Sequence, residues 1–461
     1  ALCRSRIHSA RRARTADGTG RAIAIRCSRM QGSRWGREFP PGADLIKSTV
    51  LTWSSARMKL ASMTTLAPHE LSDRMAYRDA LVAKIRELGP VFAERAVRYD
   101  REASFPFENF ADLREIGFLG LCVPTEYGGL GASLADYARV SAEIGRYCGA
   151  TALTFNMHNA TMIWAGEVAD MLGMSDEARA LHEVRRAEIF RGVIEDGMIH
   201  SQPFSEGVSA GATSGVMTRA EIVDGGYRVS GKKIFASLSG AADRYNITCQ
   251  VPGEPFIRLL SVDSKAEGVE IVGDWDPLGM RGTVSRTLIF TDAFVPADQE
   301  VLPPGAYDEA AQRFPFVFMS LAPSYLGVTH GVLDFVRGYL RGDIAGAPSG
   351  PPRRDLPQKQ HGWAELQIAY EQSRALLYDV LDNTRMDPDE ELLARAWAAV
   401  FTTMETANEV AALGVRVCGG QSMLRHLPLE RLYRDSRLGS LMLPWSAEVC
   451  LERLGTAKLY D

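Results

Sequence analysis

The chain has 461 residues, 46% apolar and 24% charged, the balance of an ordinary globular protein with length for more than one domain. It holds no run of about 18 apolar residues of the kind that crosses a membrane as a helix. The net charge of −5 is split between a basic segment, residues 1–62 at +10, and an acidic remainder at −15, which argues against nucleic acid as a main partner.

The first segment, ALCRSRIHSARRARTADGTGRAIAIRCSRM onward, is rich in Arg and Ser and nearly free of acids, the composition of an organellar transit peptide. An over-extended reading frame with Met58 or Met63 as the start is the plainer explanation and the one preferred. On that second reading residues 1–62 are set aside and the protein is expected in the cytoplasm; a matrix location follows only if the segment is a genuine transit peptide.

Residues 63–195 read as a helical domain. Leu81, Ile85, Leu88 and Phe92 recur at helical spacing, as do Phe110, Leu113 and Ile116, and the loop CVPTEYGGLGAS interrupts them at Pro124 and Gly128-Gly129. Residues 196–305 change period. Val216, Thr218, Ala220 and Ile222 alternate, Asp224-Gly225-Gly226 supplies a turn, and RLLSVD, VEIV and TLIFTD follow, so a small antiparallel β domain is expected. Residues 306–461 return to helix, with Leu393, Trp397, Val400, Met404, Ala407 and Ala411 on one stripe that ends at Gly419-Gly420. The fold class is α+β, mostly α. Seven cysteines without a CxxC pair and eight scattered histidines suggest neither a disulfide framework nor a metal site.

Four stretches at the expected joints, FLGLCVPTEYGGLGAS (118–133), YRVSGKKIFASLSGAADRY (227–245), DPLGMRGTVSRTLIFTDAFVP (276–296) and VRVCGGQSMLRHLPLERLYRDSRLG (415–439), resemble the acyl-CoA dehydrogenase family over about residues 71–461. The resemblance implies a helical domain, a β domain and a C-terminal four-helix bundle, with FAD between the last two and a homotetramer or homodimer as the assembly. It further implies hydride transfer from an acyl thioester to flavin while a carboxylate removes the α-proton, with electron-transfer flavoprotein or O2 as acceptor.

Carried onto this chain, the resemblance puts Phe235 at the apolar wall of the flavin ring and Ser237 at its N5. The i, i+2 spacing sets both on one strand face, although a core Phe and a surface Ser on a plain strand fit that spacing too. In SQPFSEGVSAGATSG, Ser205 falls where a Thr bonds the flavin pyrimidine, beside Phe204. Gly211 falls where a Ser reaches the pyrophosphate, with Thr213 or Ser209 as substitutes. Arg341 stands near the family's R-x-x-F-G without its Phe-Gly. Arg416 replaces a Gln ahead of Gly419 and Gly420, a guanidinium suited to phosphate. These departures leave FMN, or reduced flavin delivered from outside, as alternatives to FAD.

The catalytic Glu is missing. Counting from Arg434-Asp435 puts it at Leu443, followed by Pro444, and the family's minority position falls at Val317, followed by Phe318 where an Arg would meet CoA. Candidate replacements are His158 on a helix and Glu448 beyond the empty position, with Glu206 near the flavin. Arg281 is a candidate substrate contact. Each has a plain structural alternative: a core imidazole, a first-turn carboxylate favoured by the helix dipole, and ion-pair partners. The expected function is therefore a flavin-dependent oxidoreductase acting on the CH–CH group of an acyl thioester. The alternatives are a flavin monooxygenase on the same fold, for which an apolar stretch at the old base position would exclude water, and a non-catalytic partner subunit.

Overall fold

The computed structural model describes residues 68–207, 216–345 and 353–460. Its helical N-terminal part contains α1 (Pro68–Glu102), α2 (Phe107–Glu115), α3 (Leu134–Tyr147), α4 (Gly149–Ile163) and α5 (Asp176–Arg191). Leu81, Ile85 and Phe92 are fully buried along α1, so the helical spacing read from the sequence is the packed face. α3 starts at a capping box in which Ser133 and Asp136 satisfy each other's backbone N–H. Asp136 also receives Arg78 at 2.9 Å and Arg74 at 3.4 Å, which joins α1 to α3. α4 is buried on nearly every face and runs on through a π turn, Trp164–Val168, which carries Trp164 into the interior.

The β domain has β1 (His200–Ser201), β2 (Arg219–Val223), β3 (Gly226–Ala236), β4 (Arg244–Gln250), β5 (Ile257–Asp263), β6 (Val269–Val272) and β7 (Arg286–Pro296). Their order is β1–β4–β2–β3–β7–β6, with β5 on β4. The β2–β3, β3–β7, β4–β5 and β6–β7 pairs are antiparallel as expected, but β1–β4 and β2–β4 are parallel. The exception has a simple cause: β1 enters from the helical domain rather than from a hairpin, and β2 touches β4 at the single pair Arg219–Gln250. The β3–β7 ladder breaks register between Lys233 and Ala236, a bulge that re-aims Phe235.

The C-terminal part comprises α6 (Ala306–Arg313), a 3₁₀ turn (Pro315–Met319), α7 (Ala322–Arg341), α8 (Pro357–Asp382), α9 (Glu390–Cys418), α10 (Leu429–Ser436) and α11 (Ala447–Leu459). α7, α8, α9 and α11 make the four-helix bundle, with α9 against the other three. The stretch Pro315–Arg341 is long and apolar enough to cross a membrane by composition, yet 83% of that window is buried inside the fold as a central helix. α7 crosses α3 at very short range: a Cβ on Gly327 would lie 2.1 Å from the Ala142 carbonyl, and one on Gly145 would lie 2.4 Å from that of Ser324. Among the described residues Cys122, Cys148, Cys249, Cys418 and Cys450 are buried and unpaired.

Arg434 and Asp435 tie three parts of the molecule together. Arg434 forks onto Asp100 of α1 at 2.9 and 2.6 Å and reaches the Leu278 carbonyl at 3.1 Å. The buried Asp435 accepts the Met280 N–H at 2.5 Å and pairs with Arg431 at 3.3 Å. Burial pushes its carboxyl above the usual range despite those partners.

Candidate functional site

The segment 200–206 lies against the end of β3. The Ser205 carbonyl accepts the Ile234 N–H at 2.8 Å, which sets Ser205 beside Phe235. The next residue, Glu206, receives Lys233 Nζ at 2.6 Å, Thr218 Oγ1 at 2.6 Å, and the Met217 and Thr218 N–H groups. Burial works to raise the Glu206 pKa, but Lys233 and Thr218 outweigh it and the carboxyl stays below its usual value. Lys233 is fully buried and also bonds Thr248. Glu206 is thus a structural anchor of the loop, ionised and fully occupied, rather than a base.

Phe235 projects from this framework with 66% of its surface exposed, near Trp275 at 6.5 Å between ring centroids. Its φ is +51°, and Leu238, Met280 and Val284 close by are also non-glycine residues in the left-handed region. Such a concentration of costly backbone marks a functional joint held by its surroundings. The holding bonds are Leu238 N–H to Thr283 O at 2.9 Å and Ser239 N–H to Val284 O at 3.1 Å. They bracket a row of buried hydroxyls. Ser237 Oγ lies 2.8 Å from Ser285 Oγ, Ser285 Oγ lies 2.8 Å from Thr283 Oγ1, and Thr283 Oγ1 donates to the Met280 carbonyl at 2.8 Å. Phe204 and Ser205 are half-buried, Ser237 is buried, and Phe235 stands open beside them. Buried Gln202, two residues before Phe204, has an amide Nε2 with no partner, a donor free for a ligand's carbonyl. An exposed aromatic face, adjacent hydroxyls and an unused donor fit the needs of a flavin ring.

Toward the bundle the chemistry is different. Val317 is buried, and Phe318 sets its ring edge-on to Trp164 at 5.9 Å and tilted against the buried Trp445 at 6.3 Å. Trp164 continues to Tyr307 at 5.2 Å, and Tyr307 to Phe204 at 6.0 Å. Trp397 closes on Trp445 at 6.4 Å. Leu443, where the catalytic Glu was expected from the resemblance, is 38% exposed. These aromatics come from six separate places in the chain, so no spacing announced them; Gln202, Thr283 and Ser285 were legible only as polar residues inside the quoted motifs.

Several expected roles do not survive the geometry. His158 is buried with both ring nitrogens used: Nε2 donates to the Leu119 carbonyl at 2.8 Å and Nδ1 accepts the His200 N–H at 3.1 Å. Burial lowers its pKa to about 4, so it is a neutral structural imidazole and not a proton carrier. Glu448 is exposed on the first turn of α11, which starts after the Ser446 N-cap. Arg281 spends its guanidinium on the carbonyls of Asp100 at 2.7 Å and Pro277 at 3.1 Å, and on Asp276, so it fastens the joint and does not await a substrate. Arg416 is exposed at the end of α9, 3.6 Å from Glu365. No hydrogen bond or ion pair among the described residues links Arg416, Gly419 or Gly420 to the Ser205–Ser237 group. Arg341 is exposed and pairs with Asp343 at 2.9 Å. Gly211, Thr213 and Ser209 lie outside the described residues.

Comparison with known proteins agrees with this geometry. Residues 75–167 match the acyl-CoA dehydrogenase N-terminal domain and residues 313–443 the acyl-CoA dehydrogenase C-terminal domain. The amino sugar nitrososynthase DnmZ of Streptomyces peucetius is 30% identical over 75% of this chain and 85% of its own length. The mitochondrial isovaleryl-CoA dehydrogenase of Arabidopsis thaliana is 26% identical over 75% and 82%. Among solved structures, the dibenzothiophene monooxygenase TdsC from Paenibacillus sp. A11-2, known also in an FMN-bound form, superposes with a TM-score of 0.69 at 21% identity, covering 83% of this chain and 97% of its own. With that extent of similarity and this arrangement of domains, the chain belongs to the acyl-CoA dehydrogenase family and is an enzyme of that flavin-dependent class.

Proposed function

We propose that the protein is a flavin-dependent monooxygenase on the acyl-CoA dehydrogenase fold. The observation that carries this reading is the state of every group weighed as an α-proton base. Leu443 and Val317 occupy the two family positions, His158 has no free nitrogen, Glu206 is saturated by Lys233 and Thr218, and Glu448 is in solvent. Removing a general base costs about 10²–10⁴-fold in rate, so dehydrogenation would be crippled, whereas oxygen insertion needs no such base. Likeness to a nitrososynthase and to a monooxygenase supports the same choice.

When bound, a reduced flavin supplies the electrons that activate O2. The chain's own residues then have definite tasks. Phe235 covers one face of the ring, Ser205 and Gln202 serve its polar edge, and Ser237 meets N5. Phe318, Trp445 and Trp164 line the bundle side with apolar surface that keeps water from the reacting centre. Phe318 in place of a cationic handle removes the need for a CoA substrate. Arg341, exposed near the place where the family touches a neighbouring subunit's cofactor, leaves a homodimer or homotetramer as the expected assembly.

The test is anaerobic addition of an acyl-CoA panel to the flavin-loaded protein, set beside oxygenation of amines, sulfides and aromatic heterocycles with a reductase supplying reduced flavin. Oxygenation without flavin bleaching by any thioester supports the proposal. Bleaching by an acyl-CoA returns the dehydrogenase reading and overturns it.

A further inference from the structure

The hydroxyl row at the β-domain joint has a direction. Each hydroxyl carries one hydrogen. Thr283 Oγ1 lies 2.8 Å from the Met280 carbonyl oxygen, and two oxygens at that separation need a hydrogen between them, which only Thr283 can provide. Thr283 must therefore accept from Ser285, 2.8 Å away, and Ser285, its hydrogen spent, must accept from Ser237, also 2.8 Å away. The hydrogen of Ser237 is thereby turned away from the site, and Ser237 Oγ presents lone pairs. The row is sealed: Thr283, Ser285 and Ser237 are buried, and the backbone bonds from Leu238 to Thr283 and from Ser239 to Val284 hold the two segments in register.

Resting on the flavin assignment of Ser237 made above, we infer that this wiring makes the protein a selective receptor for reduced flavin. Oxidised flavin has a bare N5 that only accepts a hydrogen bond, while reduced flavin carries N5–H and donates one. A donor-only demand placed against Ser237 is met by the reduced form and left unmet by the oxidised form. An unmet buried hydrogen bond costs enough to weaken binding about tenfold or more. Ser285 and Thr283 are positioning residues, acting through Ser237. The inference concerns which redox state is captured, and it suits an enzyme that receives its flavin already reduced.

The experiment is anaerobic titration of the whole chain with FMN and with FAD, each oxidised and each reduced, together with the midpoint potential of the bound flavin. The reduced form is expected to bind at least about tenfold tighter, raising the two-electron potential of bound over free flavin by about 30 mV or more. Ser285→Ala deprives Ser237 of its acceptor and lets its hydrogen swing to N5, so the preference should fall by about tenfold, and the potential with it; Ser285→Thr, which keeps a hydroxyl, should retain both. Equal affinity, or tighter binding of the oxidised form, overturns the inference while leaving the protein a flavin enzyme, as does a Ser285→Ala protein with an unchanged ratio. If Ser285→Ala fails to fold, the parent's own ratio and potential decide. Failure to bind flavin in either state overturns the inference and the proposed function together.

Discussion

On the β-domain side of the site a Lys–Glu pair, a strained arch and a row of hydroxyls hold Ser205, Phe235 and Ser237, the residues proposed to meet the flavin. On the bundle side, Phe318 is set beside Trp445 and Trp164, and on the proposed reading it and Leu443 stand where the family has a cationic handle and an acid. On the proposed function, the difference teaches that scaffold and reaction are separable. Asp435 and Arg434 are bonded to Met280, Leu278 and Asp100 and so help fasten the domains. Leu443, eight positions later, is 38% exposed.

Lys233→Met strikes the β-domain side hardest. The ammonium is fully buried and serves Glu206 and Thr248; without it Glu206 is left among partly buried partners with no cation. A loss of about 3–5 kcal/mol in unfolding free energy is expected from urea titration. A loss below about 1 kcal/mol would show that the loop is held by other means.

The second test uses pH at the junction of the helical and β domains. Burial lowers His158 to about 4 and His200 to about 3, so both are neutral in the folded chain. Because these folded values are depressed, the stabilisation is complete above the ordinary imidazole value near 6.5 and is lost as pH falls toward 4 and 3. Stability should drop by up to about 1.4 kcal/mol per pH unit for each imidazole below that point, and His158→Gln should remove one imidazole's share of a slope to which the buried His182, also lowered to about 4, contributes as well. Equal urea midpoints at about pH 7 and about pH 5 would mean that neither ring is held neutral.

The bundle side is probed by Trp445→Leu. Trp445 is buried between Phe318 and Trp397, and shortening it opens space that its neighbours fill only in part. The expected cost is roughly 1–3 kcal/mol, less than for full truncation to Ala, measured by the same titration. A neutral result would indicate a loose wall rather than a packed one.

The two sides also differed in how legibly they were written. Local periodicity gave the helices and most strands, because Leu81, Ile85 and Phe92, or the residues of RLLSVD, face their core by spacing alone. The parallel contacts of β4 with β1 and β2 were hidden, since pairing between distant segments leaves no local period. Phe235 and Ser237 were placed by the family's motif, not by their pattern, and the bulge that turns Phe235 outward depends on the partner strand. His158 looked like a candidate acid or base because its two partners, the acceptor Leu119 O and the donor His200 N–H, come from segments far along the chain. The aromatic wall was invisible for the same reason, assembled from Phe204, Trp164, Tyr307, Phe318, Trp397 and Trp445.

Leu443→Glu sharpens the comparison most, with the smallest effect on stability. The side chain is 38% exposed, so a carboxylate remains in contact with water and the fold should lose less than about 1 kcal/mol. On the proposed reading of position 443 the variant restores the family's acid, and a general base is worth about 10²–10⁴-fold in rate. Were the missing base the sole departure, anaerobic acyl-CoA would now bleach the bound flavin at a rate far above the parent's. The expected outcome is no bleaching, because Phe318 still stands where a cationic handle would hold the thioester and Trp445 still fills the wall beside it. Oxygenation of the chosen substrate with reduced flavin should meanwhile slow, since the added charge draws water toward a site that Leu443 helps keep apolar. Strong bleaching would instead mean that the bundle side lost one residue rather than one reaction.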